Sequence, residues 1–574
     1  MCAFSVLELY KNACKILGWA PRELVCEALR RIDTGINPFI VKLPTGYGKT
    51  SITLSMGLAL RENGVNWARV IHVLPMRSIV DDVELRLRDN MRGITNVPVR
   101  KQYMGSPSTP FYCGKGIIVT TLDTFIMNFF KVPASELGKL IMFGYSHYDI
   151  PRANIYSSAV VFDEFHLLSG IGGLNEELKS LSSVLVAIRS LCEAGVPLII
   201  STATLPEILI KAINEILKRA GIELREDNIL RWDKSGDELF ANSRNKIKLS
   251  LEIIGWCDAM KILRAHDGKK ILFVVNKVER AVSLFREISN LGTGAKVTLL
   301  HGRLREDVKR DSIKKMDEAH IVISTQVVEA GIDKSFDILI TDPCPLDRFI
   351  QRAGRVARSE RAVRGDIYVL ELVDDKQYSG VYSEELTRSS MDFIEEFSGK
   401  EFPKLEFEEM LLEKMEEVYD IHVSLENLMD FIRLRTLIDL DEQPLLGRTE
   451  ARDVLINLRG LTNTFGMVTI FDASKIDDEL SYDFSVGVAE DFAKEILKSS
   501  RMGVVRDGDN LKHNLRNHIE SVMKCFGEFR LVSFKGDFVN KILNAKEPLT
   551  LSLLKYGIEG LAVECIPDEG LVRI

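Results

Sequence analysis

Residues 43–51, LPTGYGKTS, carry the strongest local pattern in this sequence of 574 residues. They directly follow the strand-like run FIVK and precede the helix-like run ITLSMGLAL, which gives the order strand, loop, helix. In that order Gly46 and Gly48 let the backbone curl so that its N–H groups, at the positive end of the helix, point at phosphate oxygens. The stretch therefore predicts a phosphate-binding loop; the alternative is a glycine-rich turn with an incidental lysine.

The positions of this loop have separate expected parts in binding ATP. The Lys49 ammonium would bind the β- and γ-phosphates, and the Thr50 hydroxyl would ligate Mg²⁺. Leu43 departs from the strict pattern, which has glycine or alanine five residues before Gly48. The predicted nucleotide contacts in the loop are Thr45, Gly46, Tyr47, Gly48, Lys49, Thr50 and Ser51.

Short apolar runs and longer helical patterns alternate outward from this loop. RVIHVLP, GIIVTT, SAVVFDE and VPLIISTAT each have the pattern of a buried strand that ends in a polar or turn-forming residue. Residues 224–250 lose that rhythm and are rich in charge, which predicts a connector. The alternation then restarts with KKILFVVN, KVTLLHG, HIVIST, DILITD and GDIYVLELV. Alternating strands and helices predict a parallel sheet with helices on both faces, here twice.

The chain is too long for one hydrophobic core, and 46% of its residues are apolar, enough for several. We predict an α/β fold of two tandem RecA-like parallel-sheet domains, 1–235 and 245–374, followed by a helix-rich C-terminal domain, 375–574. Apolar residues at helical spacing also predict an opening helix over 6–17. Within 375–574, GMVTIFD and EFRLVSF are candidate strands.

A second motif, SAVVFDEFH, places Asp163 and Glu164 at the carboxyl end of a buried strand, the edge at which an open α/β sheet binds ligands. Asp163 would hold Mg²⁺ through water, and Glu164 would orient and deprotonate the attacking water. His166 could connect the ATP site to the neighbouring domain. The alternative, a solvated acidic turn, does not explain a DE-x-H order downstream of a phosphate loop.

The next strand-like run, PLIISTATL, ends in hydroxyl side chains. Because this run lies beside the acidic strand in the predicted sheet, Ser201, Thr202 and Thr204 are candidates for coupling the state of the nucleotide to domain closure. Helix capping is the alternative role for hydroxyls at a strand end, and it is compatible with coupling.

QRAGRVAR, residues 351–358, offers Gln351, Arg355 and Arg358 at a spacing that predicts several of them on one helical face. Phosphoryl transfer spreads negative charge over the equatorial oxygens, and guanidinium groups stabilise that charge. Their delivery from a second domain would tie hydrolysis to closure of the cleft. The alternative is a basic helix solvated at the surface.

Further candidates lie near strand ends. Gly331 would permit a tight turn, and Asp333 could reach the ribose or the water of a bound metal. Hydroxyl and N–H contacts to phosphate position a nucleic-acid strand without reading its sequence. The predicted nucleic-acid contacts are Arg77, Thr120, Thr121, Thr325 and Gln326.

The composition restricts the class of protein. A net charge of −8 argues against coating nucleic acid by bulk charge and permits a local basic groove. The nine cysteines form no C-x-x-C pair, which predicts neither structural zinc nor a disulfide framework. The sequence has no signal-peptide pattern and no apolar run of the roughly 18 residues that a membrane span needs, so we expect a soluble, cytoplasmic protein.

With these motifs in order, the chain from about residue 20 to 374 resembles superfamily-two helicases. Within that superfamily it is most similar to the CRISPR-associated helicase that type I Cascade complexes recruit. The segments FVVNKVERA and LLHGRLREDVKR carry that finer resemblance, and the long run TQVVEAGIDKSFDILITDPCPLDRFIQRAGRVAR carries most of it.

The resemblance implies ATP- and Mg²⁺-dependent translocation on single-stranded DNA in the 3′-to-5′ direction, and unwinding of invader DNA that Cascade has opened. It also implies a C-terminal domain that closes over the DNA channel. The residues to which the family roles carry over are Lys49, Asp163, Glu164, Arg355 and Arg358.

Two departures from that family bear on function. Many members have a glutamine upstream of the phosphate loop that reads adenine, and in APRELVCEAL its place is taken by Val25. Many members also begin with an HD nuclease domain, whereas the only His-Asp pair here, His266-Asp267, lacks the further histidines of a two-metal site. We therefore expect unwinding without cleavage, with a separate HD nuclease subunit as partner.

Two other classes of function fit parts of the sequence. One is another superfamily-two motor, such as a DExH-type RNA helicase or a DNA-repair translocase. The other is a nucleotide-gated binding scaffold without turnover, which the intact phosphate loop, acidic pair and arginines disfavour.

Overall fold

The computed structural model describes most of the chain. The described residues are 5–62, 65–103, 110–133, 149–168, 178–233, 236–265, 268–291, 294–329, 334–359, 362–443, 461–462, 467–476, 482, 485–506, 515–526, 529–545 and 547–572. Within them, no helix combines the length and the apolar character that crossing a membrane requires.

The first sheet contains the strand that leads into the phosphate loop. Its strands lie in the order β3-β4-β2-β5-β6-β1-β7, and all their pairings are parallel. Because β6 lies between β1 and β5, the carboxyl ends of three motif-bearing strands meet at one edge. The bounds are β1 Phe39–Lys42, β2 Arg69–Leu74, β3 Val99–Gln102, β4 Gly116–Thr121, β5 Ala159–Asp163, β6 Leu198–Thr202 and β7 Ile229–Arg231.

The second sheet has the order β10-β11-β9-β12-β13-β8-β14, parallel except for β14, which pairs antiparallel with β8. The sheet extends past the predicted boundary at residue 374, because β14 follows an intervening helix and joins the sheet as an edge strand. This strand is short and charged, so its sequence has no apolar pattern that would predict it. The bounds are β8 Lys248–Ile254, β9 Ile271–Val274, β10 Val297–Leu300, β11 Ile321–Ser324, β12 Ile338–Thr341, β13 Arg364–Leu370 and β14 Lys400–Pro403.

The third sheet has mixed strand directions and the order β16-β15-β20-β17-β19-β18. The candidate strands GMVTIFD and EFRLVSF are confirmed as β15 and β19. The C-terminal region is therefore helical at its start and built around a sheet at its end. The bounds are β15 Val468–Asp472, β16 Ser485–Val488, β17 Met502–Arg506, β18 Ile519–Phe526, β19 Phe529–Phe534 and β20 Ile558–Val563.

Helices cover the sheets. The predicted opening helix is confirmed as Val6–Leu17, and the predicted connector 224–250 contains strand β7 and a helix. The α-helices are Val6–Leu17, Glu23–Asp33, Thr50–Leu58, Arg77–Arg92, Leu122–Phe129, Asp149–Tyr156, Phe165–Leu168, Leu178–Glu193, Glu207–Lys218, Glu238–Asn245, Trp256–Ala265, Val278–Asn290, Glu306–Lys315, Leu346–Ala353, Glu384–Phe397, Lys404–His422, Leu425–Leu428, Phe431–Glu442, Glu490–Ser500, Gly536–Leu543 and Leu549–Lys555.

The inner strands of the first sheet, β1, β2, β4, β5 and β6, are largely apolar because both faces of the sheet are buried. Successive side chains of β1 enter different cores: Ile40 packs in one cluster, and Phe39 and Val41 pack in the other. This double burial explains why the sequence shows continuous apolar runs instead of alternation. The predicted α/β fold with two parallel-sheet domains is confirmed.

Candidate nucleotide site between the two parallel-sheet domains

The phosphate loop joins β1 to helix Thr50–Leu58. Gly46 and Gly48 have φ angles of +77° and +97°, in the left-handed region that side chains disfavour, so glycine suits these two positions. Leu43 N–H donates to Thr202 O on β6 at 3.1 Å, and the Leu43 side chain is fully buried in the core beneath the loop. That burial explains a leucine where the strict pattern has a small residue.

The Lys49 ammonium lies inside the curl of the loop. Its Nζ donates to Leu43 O at 3.0 Å and to Pro44 O at 3.2 Å, and the residue is 9% exposed. A nearly buried ammonium at a helix N-terminus is a strong attractor for a polyanion, because its positive charge adds to that of the helix dipole.

Asp163 is the last residue of β5, and its carboxylate lies beside the imidazole of His72, a contact that was not predicted. His72 Nε2 on β2 lies 3.4 Å from Asp163 Oδ2, and His72 Nδ1 lies 2.8 Å from the Thr53 hydroxyl. Burial acts to raise the pKa of Asp163, but its interaction with His72 and the charge of Lys49 outweigh burial and lower the pKa to about 2. Asp163 is therefore ionised at neutral pH, as a ligand for a divalent cation must be.

Sequence reasoning missed His72. The signal that could have revealed it is a lone polar residue inside the buried run RVIHVLP, since an unpaired buried imidazole is costly. His72 lies on β2, which pairs with β5 so that His72 is in register with Val161. Which strand lies beside β2 is decided by the tertiary structure and cannot be read from the sequence.

Glu164 adopts a left-handed backbone conformation, with φ of 52°. This is strained for a residue with a side chain, and such strain is common at functional sites. Burial raises the pKa of Glu164 above its usual value, with a contribution from Asp163, while Lys49, Arg355 and Arg358 act to lower it. A carboxylate with a raised pKa is a better proton acceptor.

A chain of polar contacts leads from the acidic motif to the second domain. His166 Nδ1 lies 2.8 Å from the Thr202 hydroxyl, and Thr204 N–H donates to the same hydroxyl at 3.1 Å. Gln351 Nε2 then donates to the Thr204 hydroxyl at 3.1 Å. Burial, with the charges of Arg348 and Lys49, holds the pKa of His166 well below its usual value, so the imidazole is neutral. Ser201, also predicted to couple, is buried in the same strand.

Arg355 and Arg358 follow helix Leu346–Ala353 instead of lying on it, so the prediction of one shared helical face is wrong for them. Gly354 ends the helix, and the next residues run beside Phe336: Phe336 N–H donates to Arg355 O at 3.0 Å. The Arg355 guanidinium donates to Glu329 O at 2.6 Å. Arg358 N–H donates to the Ser335 hydroxyl at 2.9 Å.

A cavity of about 830 Å³ lies between the two domains and brings together most of the residues predicted for catalysis and nucleotide binding. The volume is within the range of small-molecule sites. Both domains contribute walls, and the two domains are close at this point: a side chain added at Gly354 would lie 3.5 Å from the Thr45 hydroxyl. The predicted residues that line the cavity are Thr45, Gly46, Gly48, Lys49, Thr50, Ser51, Asp163, Glu164, Arg355 and Arg358.

Three further residues that line the cavity, Trp19, Arg22 and Phe240, were not predicted as part of the site. Trp19 is partly exposed there, and the Arg22 guanidinium lies 5.0 Å from the centre of the Phe240 ring. An aromatic and guanidinium surface suits stacking against a flat base. Val25, at the place of the family glutamine, is fully buried and does not line the cavity.

The prediction that Tyr47 contacts the nucleotide needs correction for its side chain. The ring is fully buried against Trp232 and Phe240, and its hydroxyl donates to Asp237 at 2.6 Å. The backbone N–H of Tyr47 donates to Pro44 O at 3.2 Å. An aromatic side chain is drawn into the core because the left-handed glycines on both sides turn the loop.

The predicted nucleic-acid contacts of Thr120 and Thr121 also need correction. The Thr120 side chain is fully buried and donates to Gln102 O at 2.6 Å. Thr121 caps helix Leu122–Phe129, and its hydroxyl accepts from Thr124 N–H. Strand-end hydroxyls here satisfy the backbone of the fold, which is the commoner role.

The remaining predicted contacts have mixed positions. Thr325 is buried, and Gln326 Nε2 donates to Asn276 O at 2.9 Å. The half-buried Arg77 lies 5.9 Å from the centre of the Tyr103 ring. Four residues that sequence analysis singled out lie outside the described part of the chain: His266, Asp267, Gly331 and Asp333.

The residues present fit ATP and Mg²⁺. The loop combines left-handed glycines, a helix N-terminus and a nearly buried ammonium, a combination suited to phosphate. Mg²⁺ prefers oxygen ligands and is held by one or two carboxylates together with substrate phosphates, which the Thr50 hydroxyl and the ionised Asp163 suit. Within the described residues, no three His, Cys, Asp or Glu side chains form a cluster that could hold a metal ion alone.

Each of the two parallel-sheet domains matches a known protein family over part of its length. Residues 26–212 match the DEAD/DEAH box helicase family, and residues 267–361 match the C-terminal part of the CRISPR-associated nuclease/helicase Cas3. The CRISPR-associated nuclease/helicase Cas3 of Methanothermobacter thermautotrophicus is 27% identical over 455 residues, covering 74% of this chain and 51% of that protein. The CRISPR-associated helicase Cas3 of Thermoproteus tenax is 25% identical over 378 residues, 62% and 60% of the two chains.

Solved structures agree with the fold. The crystal structure of T. fusca Cas3-AMPPNP has a TM-score of 0.56 and 15% identity, and covers 82% of this chain and 64% of that one. A chain of a CRISPR RNA-guided surveillance complex, pre-nicking, has a TM-score of 0.53 and 17% identity, and also covers 82% of this chain.

The two parallel-sheet domains, with a phosphate loop and an acidic box at one edge of the first, have the arrangement of a helicase, and the first domain matches the DEAD/DEAH-box class. The match of residues 267–361 and the similarity to two Cas3 relatives point to a narrower group within that class. The chain is similar to the Cas3-like helicases of CRISPR defence. It spans about half of the first relative and somewhat more of the second.

Proposed function

We propose that this chain hydrolyses ATP and uses the resulting opening and closing of the cleft to move along single-stranded DNA, 3′ to 5′, and to unwind target DNA in type I CRISPR interference. One observation carries the proposal: Lys49 and Glu164 of the first domain and Arg355 and Arg358 of the second line the same cavity. Phosphoryl transfer needs a proton acceptor on one side and cationic charge around the phosphate.

Each of these side chains has a task that its surroundings support. Glu164 accepts the proton of the attacking water, which its raised pKa favours. Lys49 binds the terminal phosphates, and Arg355 with Arg358 stabilises the charge that spreads over the equatorial oxygens. Thr50 and Asp163 would hold Mg²⁺, which neutralises phosphate charge when it is bound.

Coupling to movement follows from the contacts between domains. The neutral His166 reaches Thr202, and the Thr204 hydroxyl accepts from Gln351 of the second domain. Because Glu164 Oε2 lies 3.7 Å from His166 Nδ1, a change at Glu164 upon hydrolysis has a short polar route to helix Leu346–Ala353. Closure that depends on this route would couple the chemical step to motion of one domain against the other.

The partners that we propose are single-stranded DNA, a Cascade complex, and a separate subunit that supplies HD nuclease activity. Support comes from the match of residues 267–361 to the C-terminal part of Cas3 and from the structural similarity to a chain of the pre-nicking surveillance complex. The proposal predicts that the purified chain does not cleave single-stranded DNA in the presence of divalent metal. Robust metal-dependent cleavage would contradict that part of it.

The test is ATP hydrolysis by the purified chain with single-stranded DNA, duplex DNA or RNA, each with and without a candidate Cascade complex. Single-stranded DNA should stimulate turnover most. Stimulation by RNA alone would favour a DExH-type RNA helicase, and no turnover with any nucleic acid would favour a nucleotide-gated scaffold.

The variant Lys49→Ala tests whether this site carries out ATP hydrolysis. We expect it to abolish measurable hydrolysis, because the one other lysine among the described residues that line the cavity, Lys334, is paired with Asp317. Normal turnover in this variant would place the chemistry elsewhere. Thermal unfolding of the variant is the control, since Lys49 bonds only to carbonyls of its own loop.

A further inference from the structure

Helix Lys404–His422 belongs to none of the motifs, yet it lies against both domains. It begins directly after β14, so its start is anchored in the second sheet. It contacts helix Leu346–Ala353 of the second domain, which precedes the two arginines. From the other side it contacts helices Glu207–Lys218 and Glu238–Asn245.

The first residue of this helix, Lys404, is fully buried, which is unusual for a lysine. A cation at a helix N-terminus also opposes the helix dipole. Burial lowers the pKa of Lys404 to about 7. Its Nζ donates to Val356 O, and to Ala357 O at 3.1 Å. These two carbonyl bonds are the specific interactions that offset an otherwise unfavourable position.

The two carbonyls belong to the short loop, residues 355–358, that carries both arginines. Ala357 has φ of 47°, a left-handed conformation that a residue with a side chain keeps only when its surroundings hold it. Phe336 holds one side of this loop, since Ala357 N–H donates to Phe336 O at 2.8 Å. Lys404 holds the other side. Arg358, the next residue, lines the cavity.

One turn further along the helix, Glu408 connects to the phosphate loop. Arg244 Nη2 donates to Glu408 Oε1 at 3.2 Å and to Thr45 O at 3.2 Å. Arg244 and Glu408 are both buried. Residues four apart lie on the same face of a helix, so Lys404 and Glu408 face the site together. The first turn of this helix thus contacts the loop 355–358 through Lys404. It is linked to the phosphate loop through Glu408, by way of Arg244.

We propose that Lys404 is a positioning residue for ATP hydrolysis: by binding the carbonyls of Val356 and Ala357 it fixes the loop that directs Arg358 into the cavity. Glu408, with Arg244, ties the same turn to the phosphate loop and so sets the spacing between the two halves of the site. This inference rests on the proposed ATPase function and adds a residue to it.

The test is Lys404→Met, which keeps an unbranched side chain and removes the ammonium. We expect kcat for DNA-stimulated ATP hydrolysis to fall about 10- to 100-fold, as misplacing a catalytic group by about 1 Å does. The Kd for a fluorescent ADP analogue should change by no more than about twofold, because the phosphate loop itself is unchanged. Lys414→Met is the matched control: Lys414 is on the same helix, pairs with Glu417 near the surface, and should leave kcat unchanged.

A double-mutant cycle distinguishes positioning from general stability. If Lys404 acts through Arg358, Lys404→Met should have no further effect on kcat in an Arg358→Ala background. Equal losses in both backgrounds would overturn the proposal, and so would full activity of Lys404→Met alone. If Lys404→Met does not fold, Lys404→Gln, whose amide can still donate to one carbonyl, takes its place in the same cycle.

Failure of the proposed function has a different signature. If the wild-type chain hydrolyses no ATP with any nucleic acid, both the proposed function and this inference are refuted. If the wild-type chain is active and Lys404→Met is equally active, only the positioning role is refuted.

Discussion

At the scale of single residues, the site depends on charges held out of water. Asp163 is kept ionised by His72 and Lys49, whereas burial pushes Glu164 towards its neutral form. Two adjacent carboxyls thus have opposite pKa shifts. Such a division separates a metal ligand, which must be anionic, from a base, which must bind a proton.

We predict that Glu164→Gln binds ATP with nearly normal affinity and loses hydrolysis by about 100-fold or more, the range for removal of a general base. The amide has the same shape and cannot accept the proton. Nucleotide binding and single-turnover hydrolysis, measured on one preparation, test this. Turnover close to that of the wild-type chain would exclude Glu164 as the base.

His72 leads to a prediction about metal affinity. Replacing it with leucine should leave the buried volume nearly filled but remove the side chain that orients Asp163. We expect the Mg²⁺ concentration for half-maximal hydrolysis to rise about tenfold, in line with the loss of other residues that orient metal ligands. An unchanged Mg²⁺ dependence would show that Asp163 needs no such support.

At the scale of elements, helix Leu346–Ala353 matters through the way in which it ends. The sequence pattern of QRAGRVAR suggested a continuous helical face, but Gly354 terminates the helix and the bridge between Phe336 and Val356 extends the chain. The arginines therefore depend on the loop for their direction. Gln351, still inside the helix, contacts the first domain through Thr204.

We predict that Gln351→Ala separates hydrolysis from movement. The variant loses the hydrogen bond to Thr204 and leaves that hydroxyl buried, while Lys49, Glu164 and the arginines are untouched. DNA-stimulated hydrolysis should fall by less than about tenfold, whereas unwinding should fall more, since coupling depends on closure. Strand-displacement and ATPase assays in parallel measure the ratio. Equal losses in the two assays would argue against coupling through this contact.

At the scale of the whole molecule, the third sheet is attached to the second domain by a buried charge cluster. Arg305 donates to Ile566 O at 3.0 Å and to Asp472 Oδ2 at 3.3 Å, and Asp472 is fully buried. Nearby in the sequence, five residues after Ile566, the Leu571 N–H donates to Arg303 O at 3.1 Å. The C-terminal sheet is therefore docked on the domain that carries the arginines.

We predict that Arg305→Ala weakens this docking by about 3 to 5 kcal/mol, because it leaves the Asp472 carboxylate buried without its cation. Hydrogen exchange of β15 and β20 should accelerate, while exchange in the first sheet should not change. Arg286→Ala is the control: its pair with Glu569 is largely exposed and should contribute little. Unchanged exchange in β15 would show that apolar contacts alone hold the third sheet.

Much of the fold could be predicted because its signals are local. The strand, loop and helix around Lys49 lie within the twenty residues Phe39–Leu58, and the acidic pair lies at the end of the single short strand β5. The opening helix Val6–Leu17 was predicted from its spacing. By contrast, β14 and the three-residue β7 are short and partly charged, so that their place in a sheet comes from a neighbouring strand instead of from their own pattern.

The sequence by itself determined the two parallel-sheet domains and the phosphate-loop, acidic and arginine residues of the cavity, because backbone periodicity and loop chemistry are properties of consecutive residues. Only the tertiary structure decided that the Tyr47 ring lies in the core, that His72 lies beside Asp163, and that Lys404 lies beneath the arginine loop. These contacts join segments that are distant in the chain. Which distant side chains meet is set by the packing of whole elements, and no local pattern encodes it.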